Sequence, residues 1–293
     1  MPRSGRSLGR NDLIASSYTL TGVPVFEPAR FSFVERVEAA AKAGFNGIGV
    51  AIEDYVAMHE RGTTDAELRR ILDDNGIVAA ELEFLTNWWW TDERQSKARK
   101  TEEQFYAAAD AFGARHVNAS SGGMRGTIPS FEQLVESFAA LCDRAAGHDL
   151  KVAYEFLPWS DVPDAATAGK LIASAGRPNG GVLIDTWHYF RGAADPAQVK
   201  AIPPDRFFLI QFDDADAQMK GDWMEDTTDY RRYPGEGSFD LTGFIRMLDD
   251  HGVEAPFSVE ILSKENRALS VLDAARRSHN TSRAIIARAR SKR

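Results

Sequence analysis

Four short apolar runs in the second half of the chain each carry a group able to hold a cation or move a proton. They are Tyr154-Glu155-Phe156, Ile184-Asp185-Thr186-Trp187-His188, Ile210-Gln211-Phe212-Asp213 and Val259-Glu260-Ile261. An ionised carboxylate among apolar neighbours is costly unless it is paired or bound to a metal. Three carboxylates and one amide oxygen, brought together, make a hard, oxygen-rich set. Such a set suits one divalent ion, Mn2+ or Mg2+ first, with Zn2+ or Co2+ also accommodated. Each residue alone has a plainer reading: a strand Glu often sits at a rim, and a buried Gln often satisfies backbone groups. It is the recurrence at four successive places that points to a site.

The elements that must position these groups follow from an alternation of short apolar runs with longer amphipathic stretches, the pattern of repeated βα units. Strands are expected over 13–20, 45–52, 77–85, 115–120, 151–157, 181–187, 207–214 and 257–263. Helices are expected near 31–43, 63–75, 98–112, 130–147, 163–175, 195–201, 239–252 and 265–289. Ser32 and Glu35 have capping-box spacing. Gly44, Gly76, Gly113, Gly147 and Gly252 stand where helices should stop in a left-handed residue. Eight such units in strict order predict a single closed (β/α)8 TIM barrel over residues 1–293, with basic flanks at 1–10 and about 288–293. An open doubly wound sheet is the alternative, but the turn after the first strand, TLTGVPVFEP, lacks the GxGxxG pattern. In a closed barrel the four groups fall at the C-terminal ends of strands five to eight, where catalytic residues gather.

With these residues in place, the sequence resembles the xylose isomerase-like barrel superfamily. The carriers are Glu in "YEF", Asp-x-x-His in "IDTWH", Gln in "IQFDD", Arg before "YPGEG" and Glu in "VEI", in that order from 151 to 262. The resemblance implies that Glu155, Asp185, Gln211 and Glu260 are metal ligands and that His188 binds a substrate hydroxyl or carbonyl. Sugar epimerases of the family commonly carry His where Gln211 stands; some of its dehydratases share the Gln. A neutral amide oxygen in place of a nitrogen slightly hardens the site.

Further candidates surround this set. Arg232, fixed by the Pro-Gly-Glu-Gly turn, would offer a substrate a forked guanidinium. Trp88, in the run Trp88-Trp89-Trp90 after strand three, would line the mouth or form a contact with a second copy of the chain. Glu83, and Glu81 of the same parity, could reach the mouth or make simple salt bridges. Asp161 is a candidate partner of Glu155. Tyr18 and Ser16 are weaker pocket candidates, Asp213 and Asp214 candidates for supporting or rim contacts, and His116 reads as a packed histidine.

The chemistry natural to this set is proton abstraction beside a carbonyl, with the metal stabilising the enediolate and Glu155 and Glu260 as acid and base. Return of the proton to another face or carbon gives a metal-dependent isomerase or epimerase of a keto-sugar, the first expectation. Loss of a β-hydroxyl, with His188 protonating the leaving oxygen, gives a dehydratase of inosose or 3-dehydroshikimate type, the second. A non-catalytic partner subunit is a third, opposed by the intact acids.

The resemblance implies a small carbohydrate or cyclic polyol as partner, and composition argues against the larger ones. Without its basic ends (1–10 and 264–293) the body carries 23 Lys and Arg against 41 Asp and Glu. That balance repels phosphate backbones and argues against nucleic acid. An endonuclease of the same superfamily would need a His-rich cluster, and there are six His in the chain. No apolar run reaches the roughly 20 residues of a membrane span. The N-terminus lacks a secretory pattern, and Cys142 is the single cysteine. A cytoplasmic protein is therefore expected.

Overall fold

The computed structural model describes residues 7–128 and 130–291. Eight parallel strands close on themselves in sequence order: β1 (Leu13–Ala15), β2 (Gly47–Ala51), β3 (Val78–Leu85), β4 (His116–Ala119), β5 (Lys151–Glu155), β6 (Gly180–Asp185), β7 (Phe207–Phe212) and β8 (Phe257–Val259). The ring closes where β1 pairs with β8, Ala15 opposite Val259. All eight expected strands are present, each within its expected stretch or one residue outside it, as at Gly180. Of the basic flanks expected at 1–10 and about 288–293, residues 1–6 and 292–293 lie outside the described residues, and Arg288 and Arg290 belong to the last turn of the final helix, Val271–Arg290.

The helices are α1 (Ser17–Leu20), α2 (Phe33–Ala43), α3 (Ile52–Glu60), α4 (Asp65–Asn75), α5 (Gln95–Phe112), α6 (Phe131–Ala146), α7 (Ala165–Ala175), α8 (Thr186–Arg191), α9 (Pro196–Lys200), α10 (Trp223–Asp229), α11 (Leu241–His251), α12 (Lys264–Arg267) and α13 (Val271–Arg290). The Ser32–Glu35 capping box forms at α2, and a second, Thr64–Glu67, opens α4. Gly44, Gly76, Gly113 and Gly252 end their helices left-handed. Gly147 does not: its φ is −62°, and the positive φ beyond α6 belongs to Asp149.

Four short helices, α1, α3, α8 and α10, stand outside the expected helical stretches. The first strand was expected to run to residue 20, yet it ends at Ala15 and Ser17–Leu20 turn helical. The sixth was expected to reach Trp187, but Asp185 ends it and caps α8, accepting hydrogen bonds from the backbone N–H of Trp187 and His188. That single carboxylate converts strand to helix at the mouth, because an aspartate N-cap satisfies the helix's first free donors.

The core has two layers. Residues such as Leu82, Val117 and Val152 fill the space between strands and helices. Inside the barrel Ile14, Ala153, Leu183 and Leu209 form an apolar floor. Above that floor the inward positions turn polar, as the two-residue side-chain period of β3, β5, β6, β7 and β8 brings Glu81, Glu155, Asp185, Gln211 and Ser258 inside. Among the described residues no helix is long and apolar enough to cross a membrane.

Candidate metal centre and active site

Glu155 and Asp185 are the last residues of β5 and β6, Gln211 is the last but one of β7, and Glu260 follows β8. Asp185 pairs with Gln211, and Gln211 with Ser258 beside Glu260. All four side chains are buried. Gln211 Nε2 donates to Glu260 Oε1 at 3.0 Å, and His188 Nε2 lies 3.1 Å from Glu155 Oε1. Ligand atoms of Glu155, Asp185 and His188 lie within 4.8 Å of one another.

Between the acids stands the guanidinium of Arg231. Its Nη1 is 2.7 Å from Asp185 Oδ2 and 3.1 Å from Glu260 Oε2, and it also meets Asp213. Its remaining nitrogens bond Thr227. Burial pushes the Asp185 carboxyl up, but Arg231 and His188 outweigh it and hold it below the usual range. For Glu260, burial prevails over Arg231 and holds the carboxyl well above. Asp213 is likewise raised, by burial and then by Asp185.

Two atoms of this centre have no partner: Gln211 Oε1 and His188 Nδ1 are buried without a hydrogen bond. An orphaned amide oxygen on the side chain that bonds Glu260, together with the close group of Glu155, Asp185 and His188, offers the oxygen-rich donors that a divalent cation takes. The residues present therefore fit a divalent metal.

A cavity of about 270 Å³ opens over Glu155, His188, Gln211 and Glu260, with Asp185 behind its lining. Glu83, Glu155, His188, Gln211, Arg231 and Glu260 form its polar part, and Phe26, Phe84, Leu157, Trp159 and Leu262 much of its apolar part. Tyr18 lines it with an unpartnered hydroxyl. Ser16 Oγ lies 3.0 Å from Glu260 Oε1 and 3.3 Å from Glu83 Oε2.

Several expected residues lie elsewhere. Arg232 faces away, bonded to Asp216 and near Glu265, and Arg231 takes the inward place. The chain is extended here, so consecutive side chains point to opposite sides. An antiparallel bridge between Asp214 and Arg232 fixes which of the two faces in. Trp88 is not at the mouth. It is buried within the chain, its Nε1 bonded to the Ser120 carbonyl and its ring against Phe138 and Tyr154. Trp89 is also buried, and none of the three consecutive Trp lines the cavity. Glu81 and Glu83 are not in salt bridges with Lys or Arg among the described residues. Asp161 does not touch Glu155; it accepts the backbone N–H groups of Gly126, Thr127 and Ile128. Asp214 accepts those of Ala215, Gly235, Gly237 and Phe239, shaping the turn. His116 is packed inside the barrel, as expected.

Trp159 was missed by sequence reasoning. It lines the cavity with its ring 5.3 Å from that of His188. The available signal was its position, four residues beyond Glu155 in the loop that leaves β5. Arg231 was legible as one of two neighbouring arginines.

The family model of the xylose isomerase-like TIM barrel matches residues 37–282. A 3-dehydroshikimate dehydratase of Pseudomonas aeruginosa is 28% identical over 80% of this chain, which spans 37% of that protein. An inosose isomerase of Halalkalibacterium halodurans is 23% identical over 88% of this chain and 92% of its own. Among solved structures, the IOLI protein with a bound zinc atom superposes with a TM-score of 0.84 at 19% identity, over 96% of this chain and 99% of that one. With its closed eight-stranded ring and a match over residues 37–282, this chain belongs to the xylose isomerase-like TIM barrel family.

Proposed function

We propose that this chain is a single-domain, metal-dependent enzyme that removes a proton beside the carbonyl of an unphosphorylated keto-polyol and expels a neighbouring hydroxyl as water. The observation that carries the reading is a buried, unpartnered Gln211 Oε1, on the side chain that bonds Glu260, in the same centre as the close group of Glu155, Asp185 and His188. Glu155, Asp185, Gln211 and Glu260 would hold one divalent ion, Mn2+ or Mg2+. When bound, the ion supplies a Lewis acid that polarises a carbonyl and offsets charge on neighbouring oxygens.

The chain's own groups do the rest. Glu155 takes the proton from carbon, and Glu260 holds its place through Gln211 and Ser16. His188 Nδ1 is free to bond a substrate oxygen. Trp159 and the apolar wall exclude water and pack against the carbon skeleton. The cavity's one cationic side chain among the described residues, Arg231, already meets three carboxylates, which leaves a phosphate without a free cation. Dehydration is supported by Gln211 and by the dehydratase relatives. Isomerisation is the second reading, supported by the inosose isomerases, one of which aligns over 92% of its length.

The test is to incubate metal-loaded protein in D2O with keto-sugars, inososes and 3-dehydroshikimate, with and without phosphate groups. Deuterium beside the carbonyl together with a new conjugated enone is the expected outcome. Deuterium with an isomeric ketone would select the second reading. Protein that retains no metal after dialysis and exchanges no proton would overturn both.

A further inference from the structure

Beside the four metal-ligand candidates, the cavity holds a carboxyl that the scheme above does not use. Glu83 lines the cavity, and Glu81 lies one inward position below it on β3. Both are buried, and both crowd one point above Gly49, where Glu83 Oε1 and Glu81 Cγ each lie within 3.0 Å of the place a Cβ would take. Two ionised carboxylates held this close in a buried place repel each other, so one of them keeps a proton. Among the described residues no Lys or Arg pairs with either; the nearest basic group is His116, at 4.0 Å from Glu81.

The two carboxyls are not equivalent. Glu81 accepts from Asn118 Nδ2 at 2.8 Å and from Ser258 Oγ. Those donors favour its ionised form. Glu83 has only longer contacts, at 3.3 Å from Ser16 Oγ and from the Ser17 N–H. The proton therefore rests on Glu83, the member at the cavity. In agreement, burial, then the charges of Glu81 and Glu260, holds the Glu83 carboxyl well above the usual range. The pair fits because residue 49 on β2 is glycine: a Cβ there would overlap Glu83 Oε1 and come within 3.0 Å of Glu81 Cγ.

We propose that Glu81 and Glu83 share one proton and that Glu83 delivers it to the oxygen that leaves the substrate. The inference rests on the proposed dehydration. In that step Glu155 takes the proton from carbon, the C–H electron pair becomes the new double bond and the carbon–oxygen bond breaks. Glu83 protonates the departing oxygen, which leaves as water. Glu83 is then a carboxylate, and the proton on Glu155 returns to it through solvent, so the cycle consumes no other reactant. Glu81 is a positioning residue that sets when Glu83 can hold a proton.

The experiment compares wild type with Glu83→Gln and Glu81→Gln by metal content, infrared spectrum, substrate deuterium exchange and water loss. Wild type near neutral pH should show the carbonyl band of neutral carboxylic acids, and the difference spectrum against Glu83→Gln should show a component of it that this variant loses. Glu83→Gln should keep its metal and its deuterium exchange while water loss falls about 100-fold or more. Glu81→Gln removes a negative charge from beside Glu83, so the basic limb of its pH–rate profile should move to lower pH. Should Glu83→Gln not fold, Glu83→Asp, which retains an acid, should keep the basic limb with a slower rate. An acid band that Glu83→Gln leaves unchanged, water loss in Glu83→Gln within about threefold of wild type, or equal loss of exchange and water release would overturn the proposal. Wild type that shows the band but exchanges no proton with any ketone would fail the proposed function and the delivery step together, leaving only the shared proton.

Discussion

Arg231 and Arg232 are chemically identical neighbours with opposite surroundings. Arg231 is fully buried against Asp185, Asp213 and Glu260, whereas Arg232 is about a third exposed and pairs with Asp216. Removing one partner from a buried charge network strands the others. Arg231→Met should therefore lower unfolding free energy by about 3–5 kcal/mol. Arg232→Met should change it by about 1 kcal/mol or less, as exposed pairs do. Urea unfolding of the two variants measures the contrast, and equal effects would contradict the inward placement of Arg231. At the same scale, Asp185→Asn keeps the cap shape but loses a charged ligand candidate. Its metal affinity should fall at least tenfold by calorimetric titration.

The turn after β7 depends on one buried carboxylate. Asp214 collects four backbone N–H groups across residues 215–239, and Gly237 packs directly on it. A Cβ at 237 would overlap Asp214 Oδ1 and the Ala215 carbonyl. Gly237→Ala should cost about 1–3 kcal/mol, as overpacking does. Amide exchange at Gly235, Gly237 and Phe239 should quicken while that of the barrel strands does not; unchanged exchange would show the turn to be held by other contacts. Elements of this kind were only partly legible. Periodicity found the eight strands and the longer helices, because a repeat of 2 or 3.6 needs several residues to show itself. The short helices α1, α3, α8 and α10 offered too few turns, and α8 exists because the Asp185 side chain caps it.

Across the whole molecule, the barrel interior buries a histidine as a neutral group. Burial, then the nearby charges of Arg115 and Lys151, pushes His116 from 6.5 down to about 3. Between those values the unfolded chain binds a proton that the folded chain does not. This contribution to stability is therefore complete above about pH 6.5 and is lost as pH falls toward 3. The raised carboxyls Glu81, Glu83, Asp213 and Glu260 act in the opposite direction, losing stability as pH rises. The comparison that isolates His116 is wild type against His116→Leu. The stability difference between them should shift in favour of the variant by up to about 1.4 kcal/mol per pH unit between pH 6 and 4. Parallel curves would show that His116 charges freely in the folded state.

The sequence alone determined the order of elements, the barrel class and the four groups at the ends of strands five to eight. These follow from local rules: a side-chain period of two along a strand, glycine at helix ends and the cost of an unpaired carboxylate among apolar residues. Only the tertiary structure decided which of two adjacent arginines enters the site, where Trp88 goes, and that Glu81 and Glu83 meet as a pair. Each of those outcomes depends on contacts between residues far apart in the chain. Asp214 pairs with Arg232, Trp88 bonds Ser120, and Ser258 and Asn118 close on Glu81 beside a glycine on β2. Ring closure creates those contacts, and no pattern within a single segment encodes them.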